Sequence, residues 1–265
     1  MIYLQCEIPD KTGYIIPIGD LHFGDKAFKE VSRKKLNGYI DWLKENKNAR
    51  VVLGGDIFNV ATRQSKTSPF EQADDEFEKV VAMFAPISKQ IVGAIDGNHE
   101  FRLIDFANFS IMNTFCQRLG IPYMGISGII EFRVGKKLAI RTGPEKGREC
   151  WQQYYYGYFH HTTGGGSLAG GGLNRVEKLR GIAEGCDFYC GFHNHGIFAK
   201  PQEVFYPNMH SKEVGRRRYW LIGCGSYLEY EGSYAERGML TPQKLGSPRI
   251  RLSGLKRHHE VHCSL

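Results

Sequence analysis

The stretch Tyr14-Ile15-Ile16-Pro17-Ile18-Gly19-Asp20-Leu21-His22 is apolar for five residues and then turns abruptly polar. A run of that length, too short for a helix, reads as a strand buried on both faces and ending in a loop. The same shape returns twice. Arg50-Val51-Val52-Leu53-Gly54 runs into Gly55-Asp56, and Gln90 to Ile95 runs into Asp96-Gly97-Asn98-His99-Glu100. Between the first two, Val31, Leu36, Tyr39, Ile40 and Leu43 recur at helical spacing and predict a helix from about Lys26 to Asn46. Phe70 to Phe84 predicts another, stopped by Pro86. Strand, loop and helix in repetition predict an α/β fold whose parallel sheet is covered on both faces. Ligands of such sheets sit beyond the carboxyl ends of the strands, where Asp20, Asp56 and His99 all fall.

The second half has a different grain. From Ile121 to Thr142 the chain alternates and turns at Gly125, Gly128 and Gly135, which predicts an antiparallel meander. Tyr154 to Phe159 reads as a strand ending at His160-His161, and the six glycines among residues 164–172 as a loop that lets backbone approach the site. A helix from about Leu173 to Ala183 and a strand near Phe188 lead to Gly191-Phe192-His193-Asn194-His195. Tyr219 to Gly223 and Arg249 to Leu252 read as further strands. There is no internal repeat and no interdomain linker, so residues 1–265 read as a single domain with a basic C-terminal segment from about residue 200.

Composition narrows the class. With 42% apolar and 24% charged residues the chain matches an ordinary globular protein. No apolar run approaches the ~20 residues needed to span a bilayer, so no membrane partner is expected. The first ten residues carry Glu7, Pro9 and Asp10 where a secretory leader needs basic and apolar stretches, so a cytoplasmic location is expected. Seven scattered cysteines argue against a disulfide framework; Cys186 and Cys190, lacking a second pair, read as buried small residues. The net charge is +7, and residues 200–265 hold eleven Lys/Arg against six Asp/Glu. If Lys212, Arg216, Arg217, Arg218, Arg249, Arg251, Lys256 and Arg257 flank the strand-end crevice, they would hold a polyanion such as nucleic acid. Otherwise they form a solvated face.

Five clusters of oxygen and imidazole ligands end five apolar segments: Asp20-Leu21-His22, Gly55-Asp56, Gly97-Asn98-His99-Glu100, His160-His161 and His193-Asn194-His195. Mixed Asp, His and Asn sets suit Mn, Fe or Zn better than Mg or Ca, which prefer oxygen alone. Two such ions about 3.5–4 Å apart can clamp the attacking and leaving oxygens of an in-line displacement. Each piece by itself has a bland reading, Gly-Asp after a strand being an ordinary turn. All five in this order do not. Of His160 and His161 only one should face such ions, because neighbours on a strand point to opposite sides; the loop spacing favours His161, and the end of the apolar run at Phe159 favours His160. There is neither a Gly-x-Ser-x-Gly elbow nor a Gly-x4-Gly-Lys-[Ser/Thr] loop.

Over roughly residues 14–226 this set of motifs resembles the calcineurin-like metallophosphoesterases, closest to the bacterial and phage branch allied to recombination-repair exonucleases. The resemblance implies a β-sandwich of two sheets flanked by helices and a pair of divalent ions, Mn first and Fe or Zn next. Asp20, His22, Asp56 and His195 would hold one ion. Asp56 would bridge to the other, held also by Asn98, His193 and either His160 or His161. His99 would be the general acid or a donor to developing charge. One departure is Asn59, where phosphoprotein phosphatases of the family carry Asp followed by Arg-Gly; a neutral amide cannot support protonated His99 as a carboxylate would. That argues against the phosphoprotein branch. Arg102 and Asn59 are the candidate substrate contacts, with an ion pair from Arg102 to Glu100 or Asp105 as the structural alternative. The expected activity is phosphodiester hydrolysis by hydroxide formed from water acidified by the ions, on nucleic acid or a nucleotide. A phosphomonoesterase or nucleotide phosphatase acting on a small metabolite is the alternative, and a scaffold without catalysis the third.

Overall fold

In the computed structural model, residues 1–61, 73–136, 152–164, 169–209, 211–237, 239, 241–255 and 258–265 are described. The start of the 70–84 helix, residues 137–142, part of the glycine-rich loop, Lys256 and Arg257 lie outside them. In chain order the elements are β1 (Ile2–Ile8), β2 (Thr12–Ile18), α1 (Glu30–Glu45), β3 (Ala49–Leu53), α2 (Ala73–Phe84), β4 (Ile91–Ala94), α3 (Asn98–Ala107) and α4 (Ile111–Leu119). Then come β5 (Ser127–Val134), β6 (Gln153–His160), α5 (Ala169–Leu179), β7 (Phe188–Gly191), β8 (Ile197–Asn208), β9 (Glu213–Cys224), α6 (Tyr234–Arg237), β10 (Arg249–Ser253) and β11 (Val261–Ser264).

The strands form two mixed sheets, ordered β1-β5-β6-β7-β9-β8 and β11-β10-β2-β3-β4. Period-2 alternation explains how they stack. Ile15 and Val52 point into a core shared with Phe132, Phe159, Phe188 and Ile222 of the larger sheet, whereas Ile16, Ile18, Val51 and Leu53 point the other way, toward Leu36, Ile40 and Leu43 of α1. On the larger sheet, Tyr158, Tyr189 and Leu221 face outward onto Val176 and Leu179 of α5. Each central strand is therefore buried on both faces, and the layers run helix, sheet, sheet, helix. This is the α/β sandwich flanked by helices that the family resemblance implied, and β2, β3 and β4 are the expected parallel set.

Several expectations need correction. α1 begins at Glu30, and Val31 is 59% exposed because the buried stripe is carried by Leu36, Ile40 and Leu43. In the 121–142 region a single strand is described, β5, which pairs antiparallel with β6 but parallel with β1. The basic segment supplies strands to both sheets, β8 and β9 to one and β10 and β11 to the other. No helix among the described residues is long and apolar enough to cross a membrane.

Candidate metal centre

The loops after β2 and β3 stay bonded beyond the strand ends. Asp20 N–H donates to Gly55 O (3.0 Å), His22 N–H to Asp56 O (2.8 Å) and Phe23 N–H to Ile57 O (2.9 Å). Those bonds hold the chain in conformations that L-residues avoid. Asp20, His22, Asp56, His193 and His195 all have φ between 47° and 75°. Such conformations cost on the order of 1–3 kcal/mol each and persist only where surrounding structure enforces them, which is the habit of functional sites.

The side chains so placed converge. Asp20, His22 and His195 form one group of potential ligand atoms, and Asp56, His161 and His193 another, each with all its ligand atoms within 4.8 Å of one another. His22 Nε2 lies 3.3 Å from His195 Nε2, and His195 Nε2 lies 3.4 Å from Asp20 Oδ1. Asp56 Oδ2 is 3.8 Å from His22 Nε2 on one side and 3.4 Å from His161 Nε2 on the other. One carboxylate oxygen thus faces both groups. Asn98 Oδ1 completes the second, 3.1 Å from His161 Nε2 and 2.7 Å from His193 Nδ1.

These separations suit cations. Two ligands bonded at 2.0–2.2 Å to one ion with tetrahedral or octahedral angles are about 2.8–3.6 Å apart. The tautomers agree. His161 Nδ1 is 2.8 Å from Gly54 O; a carbonyl only accepts, so Nδ1 carries the proton and Nε2 offers its lone pair to the centre. Nδ1 of His22 is buried without a partner among the described residues. The field is strongly negative here: although burial opposes it, the facing Asp56 carboxylate pushes His161 up to about 10. Burial would raise Asp56 itself, yet His161 and its hydrogen bond hold the carboxyl well below its usual range. A proton drawn that hard marks a seat that a divalent ion fills better.

His160 is left out. It ends β6 on the outward face with Tyr158, the two rings 6.1 Å apart, and burial lowers its proton affinity. His161 follows the last strand residue and swings back over Gly54. Metal titration should therefore show His161→Ala weakening one ion by about 10-fold or more, as loss of a ligand does, and His160→Ala having little effect; equal, small effects would remove this loop from the centre.

His99 stands beside the groups, Nε2 4.0 Å from Asp56 Oδ2, with its backbone N–H donating to Asp56 Oδ1 at 2.8 Å. Its Nδ1 donates to the main-chain carbonyl of Asn59 at 2.6 Å, so a backbone oxygen takes the orienting place of the missing carboxylate. Burial lowers its proton affinity, Asp56 pulls the other way, and Arg102, whose Nη2 is 2.9 Å from Nε2, lowers it again. Among the described residues Arg102 makes no ion pair with Glu100 or Asp105; its Nη1 approaches the carbonyls of Asn59 and Val60 at 3.4 and 3.5 Å. Among the described residues neither Oδ1 nor Nδ2 of the buried Asn59 amide has a partner, the kind of orphan that a substrate oxygen or water satisfies.

Two features passed unread in the sequence. Glu100 accepts four main-chain N–H bonds, from Ile57 (2.8 Å) and Phe58 (3.0 Å) at Oε1 and from Asp56 and Gly97 (both 2.8 Å) at Oε2. It thereby ties the β3 loop to the first turn of α3. Thr162 Oγ1 donates to Phe192 O (2.7 Å) and accepts from Asn194 Nδ2 (2.8 Å), bracing the His193–His195 loop. The position of Glu100 three residues after Gly97, as in a helix capping box, was the available signal.

Among the described residues, the Arg216–Arg218 triplet and Arg251 do not flank this centre. Arg217 lies six residues before Gly223, the β9 residue level with the end of β7, so the Arg216–Arg218 triplet is about 20 Å away along the strand. Arg251 pairs with Tyr14, near the start of β2 rather than at its Asp20 end.

No family model and no curated protein matches this chain. Among solved structures, the calcineurin-like phosphoesterase YfkN from Bacillus subtilis is similar at a TM-score of 0.39 and 11% identity, over 96% of this chain and 88% of that one. At that degree of likeness the chemistry has to follow from the residues of the centre itself.

Proposed function

We propose that this protein is a metal-dependent phosphoesterase with a two-ion centre. The observation that carries this is the placing of Asp56 Oδ2 between two separate ligand groups, 3.8 Å from His22 and 3.4 Å from His161. Asp20, His22 and His195 would hold one ion, Asn98, His161 and His193 the other, with Asp56 shared. The donor set of imidazoles with few oxygens suits Mn, Fe or Zn. Bound ions supply Lewis acidity toward phosphate oxygens and a nucleophile from water at neutral pH. The chain's own residues do the rest. Asp20, fixed by the His193 N–H at 2.9 Å, keeps one group in register. Arg102 and the Asn59 amide, unpartnered among the described residues, would hold a non-bridging oxygen. His99 donates through Nδ1 to Asn59 O, and its Nε2, which accepts from Arg102 in this structure, would serve the leaving group.

The substrate we favour is a small phosphodiester or nucleotide rather than a long nucleic acid, because the arginines that would grip a polyanion sit at the far end of β9. A small-metabolite phosphomonoesterase shares the same ions. A scaffold role fits poorly with strained backbone kept at five ligand positions. Metal-loaded protein should hydrolyse bis-p-nitrophenyl phosphate faster than p-nitrophenyl phosphate and lose both activities to a chelator. A reversed preference would make it a monoesterase, and no turnover with Mn, Fe or Zn would end the enzymatic reading.

His99→Ala should keep both ions and lower kcat by about 10²–10⁴, the usual range for a positioned proton donor or acceptor. The loss should shrink as the leaving group improves. Loss of metal would instead make His99 a ligand, in keeping with its approach to His22 and Asp56.

A further inference from the structure

Helix α3 starts at the metal centre with Asn98 and leads away from it. His99, Arg102 and Phe106 lie on one stripe of this helix, within about 60° of one another at 3.6 residues per turn. Exposure rises along the stripe: His99 is 7% exposed, Arg102 is half-buried and Phe106 is 86% exposed. The stripe is therefore one wall of the way out from the centre to solvent. Along the helix axis Phe106 stands about 6 Å beyond Arg102 and about 10 Å beyond His99. Helical side chains lean toward the N-terminus of their own helix, so the Phe106 ring leans back over the Arg102 turn.

The two outer members of the stripe lack partners of their own kind. Arg102 has no ion pair among the described residues, and its guanidinium is held in place by His99 Nε2 at 2.9 Å and the carbonyls of Asn59 and Val60 at 3.4 and 3.5 Å. Val60 has a φ of 45°, a conformation that β-branched residues avoid. Strain of that kind persists where a site depends on it, and here it presents two carbonyls to one arginine. Phe106 is the most exposed phenylalanine among the described residues, and its ring meets no other ring or cation there. It adds nothing to the core, so its packing value is unused.

We propose that Phe106 is a stacking platform for the base of a mononucleotide whose phosphate sits at the metal centre. This rests on the phosphoesterase reading and narrows its substrate class. The order along the stripe is that of a nucleotide: phosphate at the ions and Arg102, sugar across the turn between, base on the ring. A sugar phosphate without a base would leave the ring in water, so Phe106 discriminates between nucleotides and plain metabolite esters. Every base has a π-face, and stacking does not read hydrogen-bonding edges. The platform is therefore tolerant of base identity.

The test uses the full chain loaded with zinc, which is diamagnetic, and labelled with ¹³C in its phenylalanine rings. The probes are the 5′-methylenephosphonates of adenosine and of methyl riboside, which share a phosphate mimic that resists hydrolysis and differ in the base. The adenosine probe should bind about 5- to 100-fold more tightly, the range of one base stacked on an aromatic side chain. It should also shift the Phe106 ring signals upfield, and the riboside probe should leave them in place. Phe106→Ala should remove the advantage of the base while the riboside probe binds as before, and Phe106→Trp should restore it. Exchanging adenine for uracil should cost less affinity than removing the base. Equal affinity of the parent for both probes, or equal weakening of both by Phe106→Ala, would overturn the platform and leave the phosphoesterase reading standing. Binding of neither probe would overturn both. A penta-adenylate strand that binds more than about tenfold tighter than the adenosine probe would overturn the mononucleotide assignment.

Discussion

Asp56→Asn is expected to lower turnover by about 10³-fold while the fold survives, because losing one of two ions removes several kcal/mol of charge stabilisation and each 1.36 kcal/mol is tenfold in rate. The side chain is 1% exposed, and its Oδ2 is the one oxygen that faces both ligand groups. An amide keeps the shape and can still accept the His99 N–H through its oxygen. It offers neither the charge nor a second lone-pair oxygen to a pair of cations. Metal content measured beside turnover decides the matter: the variant should retain clearly less than the parent's complement, with an unchanged circular dichroism spectrum. Parental turnover at parental metal content would show that Asp56 does not bridge.

Glu100→Gln should be nearly as damaging although Glu100 is not itself a proposed ligand. Its two carboxylate oxygens each accept two main-chain bonds from Asp56, Ile57, Phe58 and Gly97. A glutamine supplies one accepting oxygen and turns an NH₂ group toward two N–H donors. Leaving two buried donors unsatisfied costs about 1–3 kcal/mol each. Part of that cost should appear as a lower Tm. The rest should appear as weaker metal binding, since the displaced segment carries Asp56 and adjoins Asn98. Glu100→Asp, too short to reach all four donors, should fall between the two. A glutamine variant that melts and binds metal like the parent would show that the clamp does not position the centre.

What could be read from the sequence is what depends on neighbours in the chain. The apolar runs 14–18, 50–54 and 90–95 announce strands buried on both faces because alternation and run length are local properties. Their polar ends place Asp20, Asp56, Asn98 and His99 together because parallel strands deliver their carboxyl ends to one edge. The helix opening at Asn98 was missed, since Gly97-Asn98-His99-Glu100 was read as a loop of ligands when it is also a capped first turn. β1, β8 and the first half of β9 were missed as well, the expected strand having covered only Tyr219 to Gly223. Their exposed faces break the apolar pattern, so little in them marks a strand.

The remaining features were decided by contacts between distant parts of the chain. The choice between His160 and His161 turns on where β6 stops, which is set by its pairing with β7 at His160–Gly191. Whether the basic residues meet the metal centre turns on the direction and register of β9 against β7, and those carry Arg216, Arg217 and Arg218 to the opposite end. The Glu100 clamp joins residues 42 to 44 positions apart. Composition and periodicity report how a residue faces its own element. They carry no record of which elements become neighbours, because pairing is settled by the burial of whole faces at once.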